Sequence, residues 1–128
     1  MNPPRVLVVD DNALNSKLTR LLLTGHGYEV ETAANAAEAL ESIARARPQL
    51  ILMDLQLPGM DGFELTRRLK QDPAMKRIRI VALTAYAMKG DEQRAADAGC
   101  DGYISKPIDT RRLPALVEHF LSLDAPAS

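Results

Sequence analysis

Five short apolar segments recur along the chain, separated by about twenty residues or more. Most are rich in valine, isoleucine and leucine and show little alternation with polar residues, which is typical of strands buried on both faces of a parallel sheet. The segments are Val6–Val9, Tyr28–Thr32, Leu50–Met53, Ile78–Leu83 and Tyr103–Ile104. The pattern therefore predicts five parallel strands.

Helical periodicity follows each predicted strand, with apolar residues spaced three and four apart. The fourth helix is the least apolar and is predicted over about Lys89 to Ala98, ending at Gly99. The apolar positions of the other four are Leu14, Leu18, Leu21 and Leu22; Leu40, Ile43 and Ala44; Leu65 and Leu69; and Leu113, Leu116, Val117, Phe120 and Leu121.

Glycine, proline and small polar residues mark where these helices begin and end. The first helix is predicted to end at Gly25 and the second to stop near Pro48, while Pro114 fits the first turn of the fifth. Asp61 and Thr110 are candidate N-caps of the third and fifth helices. Because strand and helix alternate five times, we expect a doubly wound α/β sandwich.

Composition limits the classes of function. The 128 residues fit one domain, and 16 basic against 17 acidic residues give no electrostatic signature for nucleic acid or a membrane surface. No apolar run approaches the roughly 20 residues that span a bilayer. Cys100 is the single cysteine, which excludes an internal disulfide and favours a cytoplasmic protein. His26 and His119 lack the spacing of metal ligands.

Polar side chains end four of the five predicted strands. In an open α/β sheet these ends share one edge, where sites form. The residues are Asp10, Asp11 and Asn12 after the first strand, Asp54 after the third, Thr84 after the fourth, and Ser105, Lys106 and Pro107 after the fifth. The edge is therefore the candidate site.

Three carboxylates at one edge repel one another unless a cation lies between them. Oxygen ligands favour a hard ion such as Mg²⁺, and Lys106 and Thr84 add a cation and a hydroxyl donor. This combination suits a phosphoryl group, with Asp54 as the nucleophile. Taken singly, each motif is more often a helix cap or a turn than part of a site. The conjunction, in order and on the correct strands, favours the phosphoryl site.

The sequence resembles the receiver domains of two-component signalling, the CheY-like family, from about Arg5 to Leu121. Four segments carry the resemblance: residues 6–12 (VLVVDDN), 52–62 (LMDLQLPGMDG), 80–85 (IVALTA) and 99–107 (GCDGYISKP). The resemblance implies a flavodoxin-like, five-stranded parallel sheet in the order 2-1-3-4-5 with five helices. We expect a receiver domain over residues 5–123, an extension over 1–4 and a tail over 124–128.

The resemblance also implies the role of each site residue. Asp54 accepts a phosphoryl group, and Mg²⁺ is held by Asp10, Asp11, Asp54 and the backbone carbonyl of Gln56. Lys106 and Thr84 bind the phosphoryl group, Tyr103 is the aromatic switch residue, and the bond before Pro107 is cis. Gln56 and Tyr86 tune the rate of dephosphorylation.

The implied partners are a sensor histidine kinase or phosphotransfer protein and a downstream protein target that reads the α4-β5-α5 face. We expect a cytoplasmic, monomeric, stand-alone signalling domain that is not an enzyme, although it assists its own phosphorylation and dephosphorylation. A receiver fragment of a hybrid histidine kinase or of a larger regulator is the alternative.

Three other functions fit the sequence less well. A haloacid-dehalogenase-like phosphatase usually has a second acid two residues after its nucleophile, where this chain has Gln56. A flavin module would need a hydroxyl- and glycine-rich loop in place of Asp10, Asp11 and Asn12. A degenerate receiver would lack a key acid, Thr84 or Lys106, and none is missing.

Overall fold

The computed structural model describes residues 3–55, 62–84, 89–105 and 109–122, apart from the side chains of residues 84 and 89–92. Strands and helices alternate along the chain. They are β1 (Arg5–Val9), α1 (Ala13–Gly25), β2 (Glu29–Ala33), α2 (Ala36–Arg45), β3 (Leu50–Asp54), α3 (Gly62–Gln71), β4 (Arg79–Thr84), α4 (Lys89–Ala98), β5 (Gly102–Ser105) and α5 (Leu113–Ser122). Within these ranges, no helix combines the length and apolar character needed to cross a bilayer.

The five strands form one parallel sheet in the order β2-β1-β3-β4-β5. This confirms the expected flavodoxin-like topology, and each predicted strand end lies within one residue of the observed end. Every residue of β3 is buried, because β3 lies at the centre of the sheet and helices cover both of its faces. The apolar run that predicted this strand reflects that position.

Alternate residues of the strands pack into separate cores on the two faces. On one face, Val8 and Leu52 pack with Leu23 of α1 and Val117 of α5. The opposite face packs against α2 and α3, and its core contains Leu7, Val9, Ile51, Met53, Ala39, Ile43, Leu65 and Leu69. A smaller cluster joins α3 and α4 through Leu55, Phe63, Ala82, Ala95 and Ala98. Helices therefore hold the sheet from both sides.

Side-chain caps fix the starts of the helices that follow β1 and β2. The side chain of Asn12 accepts a hydrogen bond from the backbone N–H of Asn15 at the start of α1.

The predicted cap at Thr110 is wrong: α5 begins at Leu113, whose N–H donates to the carbonyl of Asp109. A short turn over residues 110–112 lies between Asp109 and the first residue of α5. Asp61, the predicted cap of α3, lies outside the described residues.

The leucine stripe of α1 does not face the core. Leu14, Leu18 and Leu21 are 65%, 50% and 60% exposed. The buried residues of this helix are instead Ser16, Thr19 and Leu23. An apolar stripe usually marks the core-facing side of a helix, so the periodicity located this helix correctly but its most regular leucine face is turned to solvent.

Lys70 ties the amino-terminal end of the sheet together. Its Nζ donates to the carbonyl of Ile78 at 2.8 Å, to the carbonyl of Lys76 at 3.2 Å and to a carboxylate oxygen of Asp101 at 2.9 Å. The same Asp101 oxygen accepts the backbone N–H of Ile80. One side chain thus connects the end of α3, the α3–β4 loop and the residue before β5.

Gly62 allows α3 to begin directly against the end of β3. A Cβ atom at this position would lie 2.5 Å from the carbonyl oxygen of Asp54 and 2.8 Å from the Cα of Leu55. Both contacts are with backbone, which cannot rotate away as a side chain can. The glycine therefore sets how closely the helix approaches the residue that carries the candidate nucleophile.

We expect the substitution Gly62→Ala to destabilise the protein by about 1–3 kcal/mol, because the added methyl group overlaps backbone atoms in a packed region. Urea unfolding measures this change. Gly25→Ala is the matched control, since a Cβ there meets nothing within 4 Å. At a helical position, alanine is more stable than glycine by about 0.5–1 kcal/mol. Equal stabilities of the two variants would contradict the close approach.

Candidate functional site

Three carboxylates meet at the carboxyl end of the central strands. Asp10 and Asp11 follow β1, and Asp54 is the last residue of β3. One carboxylate oxygen from each lies within 4.8 Å of the others. Asp10 is 3% and Asp54 is 4% exposed, whereas Asp11 is exposed. The structure thus confirms that these three predicted residues come together, with one side open to solvent.

Backbone hydrogen bonds position Asp10. Its N–H donates to the carbonyl of Ala33 at 3.0 Å, which extends the pairing of β1 and β2 by one step. Its Oδ1 accepts the N–H of Asn12 at 2.9 Å, and its carbonyl accepts the hydroxyl of Ser16 at 3.3 Å. The segment therefore forms the turn and helix cap that its sequence favours, while the carboxylates stay grouped. The same turn therefore carries both the residue that caps α1 and two of the three carboxylates.

Asp54 is positioned by the sheet on one side and by α3 on the other. It lies in register with Leu83 of β4. The next N–H, of Leu55, donates to the carbonyl of Leu83 at 3.1 Å. The N–H of Gly62 then donates to the carbonyl of Leu55 at 3.3 Å. Both sides of this strand end are therefore fixed before any ligand contributes.

The donor set suits a hard divalent cation. One carboxylate oxygen from each of Asp10, Asp11 and Asp54 lies within 4.8 Å of the others, and carboxylate oxygens are protein ligands that suit Mg²⁺. Since Asp11 is exposed, solvent reaches the cluster and can supply the water ligands that Mg²⁺ retains.

The remaining predicted site residues are only partly described. Thr84 ends β4 and pairs with Ser105 of β5, as expected, although its side chain lies outside the described set. Tyr103 lies on β5, partly buried, and packs against the cluster shared by α3 and α4. The predictions for Gln56, Tyr86, Lys106 and Pro107 lie outside the described residues.

A cavity of about 370 Å³, which no pattern in the sequence predicted, adjoins the carboxylates. Asp10, Asp11, Lys17, Arg20 and Glu38 are among the residues that line it. Lys17 and Arg20 are three residues apart on α1 and therefore share a face. That spacing, directly after a predicted acidic turn, is the sequence signal that could have indicated cations beside the site.

Cys100 is not a competing nucleophile. Burial raises the pKa of its thiol to about 11, and the hydrogen bond with Thr66 at 4.0 Å only partly opposes this effect. The thiolate is the reactive form, so the side chain is inert near neutral pH. The pKa of Tyr28, which directly precedes β2, is also raised, mainly by burial and then by the charge of Glu118.

Comparison with known proteins agrees with this geometry. The family model described as the response regulator receiver domain matches residues 6–118. The polar-differentiation response regulator DivK of Brucella anthropi is 46% identical over 119 residues, which cover 93% of this chain and 97% of that protein. The DivK protein of Brucella ovis is 45% identical over 116 residues, covering 91% of this chain and 94% of that protein.

Solved structures show the same likeness. The chemotaxis response regulator CheY4 of Vibrio cholerae superposes with a TM-score of 0.87 at 30% identity, covering 92% of this chain and 98% of that one. A CheY-like receiver domain protein from Methanospirillum hungatei gives 0.83 at 36% identity, covering 93% and 94%. The chain belongs to the response-regulator receiver domains of two-component signalling.

Proposed function

We propose that this protein is a phosphorylation switch in which Asp54 accepts a phosphoryl group from the phosphohistidine of a sensor kinase or phosphotransfer protein. The observation that carries the proposal is the grouping of Asp54 with Asp10 and Asp11 at the one end of the sheet where Thr84 also emerges. A buried carboxylate on a rigid central strand can be presented to a donor with little loss of entropy.

The transfer forms one bond and breaks another. A carboxylate oxygen of Asp54 attacks phosphorus, the P–O bond forms, and the P–N bond to the donor imidazole breaks. The released imidazole takes up a proton. Asp54 therefore acts as nucleophile without losing a proton itself, and the product is a mixed anhydride that water later hydrolyses.

Asp10, Asp11 and Asp54 would hold Mg²⁺, together with the backbone carbonyl of Gln56. When bound, the ion neutralises the carboxylates and the charge that spreads over the phosphoryl oxygens. The fit of the three carboxylates to magnesium supports this assignment. Gln56 and Tyr86, each two residues after a site residue, are proposed to tune how long the phosphoryl group survives.

Switching is proposed to run from Thr84 and Lys106 to Tyr103. Phosphorylation adds about −1.5 to −2 charges and new acceptor oxygens, which recruit the hydroxyl and the ammonium group. Movement of Thr84 opens space for the ring of Tyr103, with Pro107 holding the following turn in its cis form. The α4-β5-α5 face then presents a different surface to a downstream protein. The partial burial of Tyr103 supports its role.

The protein is proposed to act as a monomeric cytoplasmic switch, through protein contacts rather than through nucleic acid or a membrane. With 16 basic and 17 acidic residues, the chain as a whole carries no excess of positive charge that would attract nucleic acid or an anionic membrane. The high coverage of the DivK relatives, 97% of the Brucella anthropi protein, is in keeping with a single receiver unit.

The exposed leucine face of α1, formed by Leu14, Leu18 and Leu21, is proposed to dock the phosphoryl donor. It begins one turn after Asp11, so a helical surface that covers it lies beside Asp54. Large exposed apolar groups in a row are uncommon on a monomer unless they bind a partner. Lys17 and Arg20 lie on the same helix, which favours a donor surface with acidic residues.

Asp54→Asn removes the nucleophile. We expect wild-type protein incubated with a small phosphodonor and Mg²⁺ to gain one phosphoryl group, and the variant to gain none. Chelation of Mg²⁺ should slow wild-type labelling by roughly 10²-fold or more, because the charge of three carboxylates then opposes the anionic donor. Intact-protein mass spectrometry measures both effects.

Asp97→Asn is the matched control, since Asp97 is an exposed acid on α4 whose carboxylate accepts a hydrogen bond from Gln93. It should be labelled like wild type. Full labelling of the Asp54→Asn variant, or a phosphoryl group mapped to another aspartate in the wild type, would contradict the assignment.

Leu18→Gln tests the docking face. Loss of one exposed leucine contact from a protein interface should raise the KM for a phosphorylated kinase domain by about tenfold. Labelling by a small phosphodonor should not change, because the substitution leaves the carboxylates intact. Phosphotransfer kinetics from one autophosphorylated sensor kinase that modifies the wild type provide the measurement.

Leu40→Gln is the control for this face, because Leu40 of α2 is 41% exposed on the opposite side of the sheet. It should keep the wild-type KM. An unchanged KM in Leu18→Gln would disprove docking on α1 while leaving phosphorylation of Asp54 intact, so the two proposals fail separately.

A further inference from the structure

A second cavity, of about 650 Å³, lies at the end of the sheet opposite Asp54. The α2–β3 connection forms one wall and the α3–β4 connection forms the other. We call it the basic groove, and its relevant lining residues are Arg47, Pro48, Lys76, Arg77, Ile78 and Arg79. Its volume lies within the range of about 300–1,000 Å³ that is common for small-molecule sites.

The charge of the basic groove is positive. Arg47, Lys76 and Arg77 are exposed and form no ion pair with the residues that the structure describes. Arg79 lies deeper, with 11% of its side chain exposed and Asp101 at 3.8 Å. Among the described lining residues, none is acidic. A chain with a net charge of −1 thus concentrates four cations around one cavity.

The nearby carboxylates do not cancel this charge. Asp101 is shared between Arg79 and Lys70, whose Nζ lies 2.9 Å away, so one negative charge faces two positive ones. Asp72, in the α3–β4 connection, accepts the backbone N–H of Ala74 at 2.8 Å. The exposed guanidinium groups therefore remain available to an incoming anion.

The floor of the basic groove is apolar. Pro48 and Ile78 line the cavity with little exposed surface, and the exposed Pro73 and Ala74 add apolar lining. A free inorganic anion would gain nothing from such a floor. Guanidinium groups bind phosphate in a bidentate manner and also stack on flat rings. The combination of apolar floor and cationic rim matches a molecule that joins a flat base to a phosphate chain.

We propose that the basic groove binds a nucleotide that carries a diphosphate or longer phosphate chain. The guanidinium groups of Arg47 and Arg77 hold the phosphates from opposite walls, Lys76 contributes charge, and the base covers the apolar lining at Pro48, Pro73 and Ala74. The site is independent of phosphorylation at Asp54, because the two lie at opposite ends of the sheet.

The test is a titration of the isotope-labelled full chain with ADP, AMP, pyrophosphate and adenosine, followed by amide chemical shifts. EDTA is present so that metal-bound nucleotide cannot occupy the carboxylate cluster. ADP should bind saturably, with the largest shifts at Gln49, Ile78 and the amides beside them. AMP and pyrophosphate should each bind about tenfold more weakly, since one lacks a phosphate and the other lacks the base.

Variants locate the site. The double variant Arg47→Gln with Arg77→Gln should weaken ADP binding by at least roughly tenfold. Arg112→Gln, which removes the charge of an exposed arginine beside the start of α5, is the matched control and should bind ADP as the wild type does. Circular dichroism checks that each variant is folded.

Several outcomes would overturn the proposal. They are an absence of saturation with ADP, equal affinities for ADP and pyrophosphate, shifts confined to the Asp10 end of the sheet, and unchanged ADP affinity in the folded double variant. Equal affinities would reduce the groove to a site for small anions, and shifts at Asp10 would place the nucleotide at the carboxylate cluster.

Discussion

Mutual repulsion of carboxylates is the constraint around which this molecule is built. Asp10 and Asp54 are both buried, with carboxylate oxygens within 4.8 Å of each other. At an effective dielectric constant of about 20, two full charges at that distance repel by about 3–4 kcal/mol before any other group or cation compensates them. Only a rigid scaffold can hold them there, and the fully buried β1–β3 pairing with its two apolar cores provides that scaffold.

This repulsion also explains why the site is suited to a switch rather than to a permanent structural role. A group of acids that the fold forces together gains stability from any cation that reaches it, and exposed Asp11 keeps the group open to solvent. The proposed phosphoryl group would add further negative charge at the same point. Donors on neighbouring strands would then gain more from moving inward than they do before phosphorylation.

The sequence predicted the fold and the carboxylate cluster well, because both depend on strong local signals. Short apolar segments located all five strands, and the polar residues that end four of them identified the shared edge. The solvent-facing side of α1 was not predictable, since Leu14, Leu18 and Leu21 show the same periodicity as a core stripe while Ser16 and Thr19 take the buried positions.

Some features depend on distances that sequence does not encode. The need for glycine at position 62 arises from an approach to the Asp54 carbonyl, which only the packing of α3 determines. The basic groove likewise combines Arg47 with Lys76 and Arg77, which are about thirty residues apart in sequence. An even overall charge balance concealed this cluster, because composition averages over the whole surface.

The described packing of α4 bears on the proposed response of this helix to phosphorylation. Among its described side chains, the buried ones are Ala95 and Ala98, and Arg94 lies 4.2 Å above the ring of Phe63. Two buried methyl groups and one cation–π contact contribute about 2–3 kcal/mol together. Charge-assisted hydrogen bonds to a phosphoryl group contribute about 1.5–3 kcal/mol each. Two such bonds are of the same size as these described contacts of α4, which supports the proposal that phosphorylation of Asp54 acts on this helix.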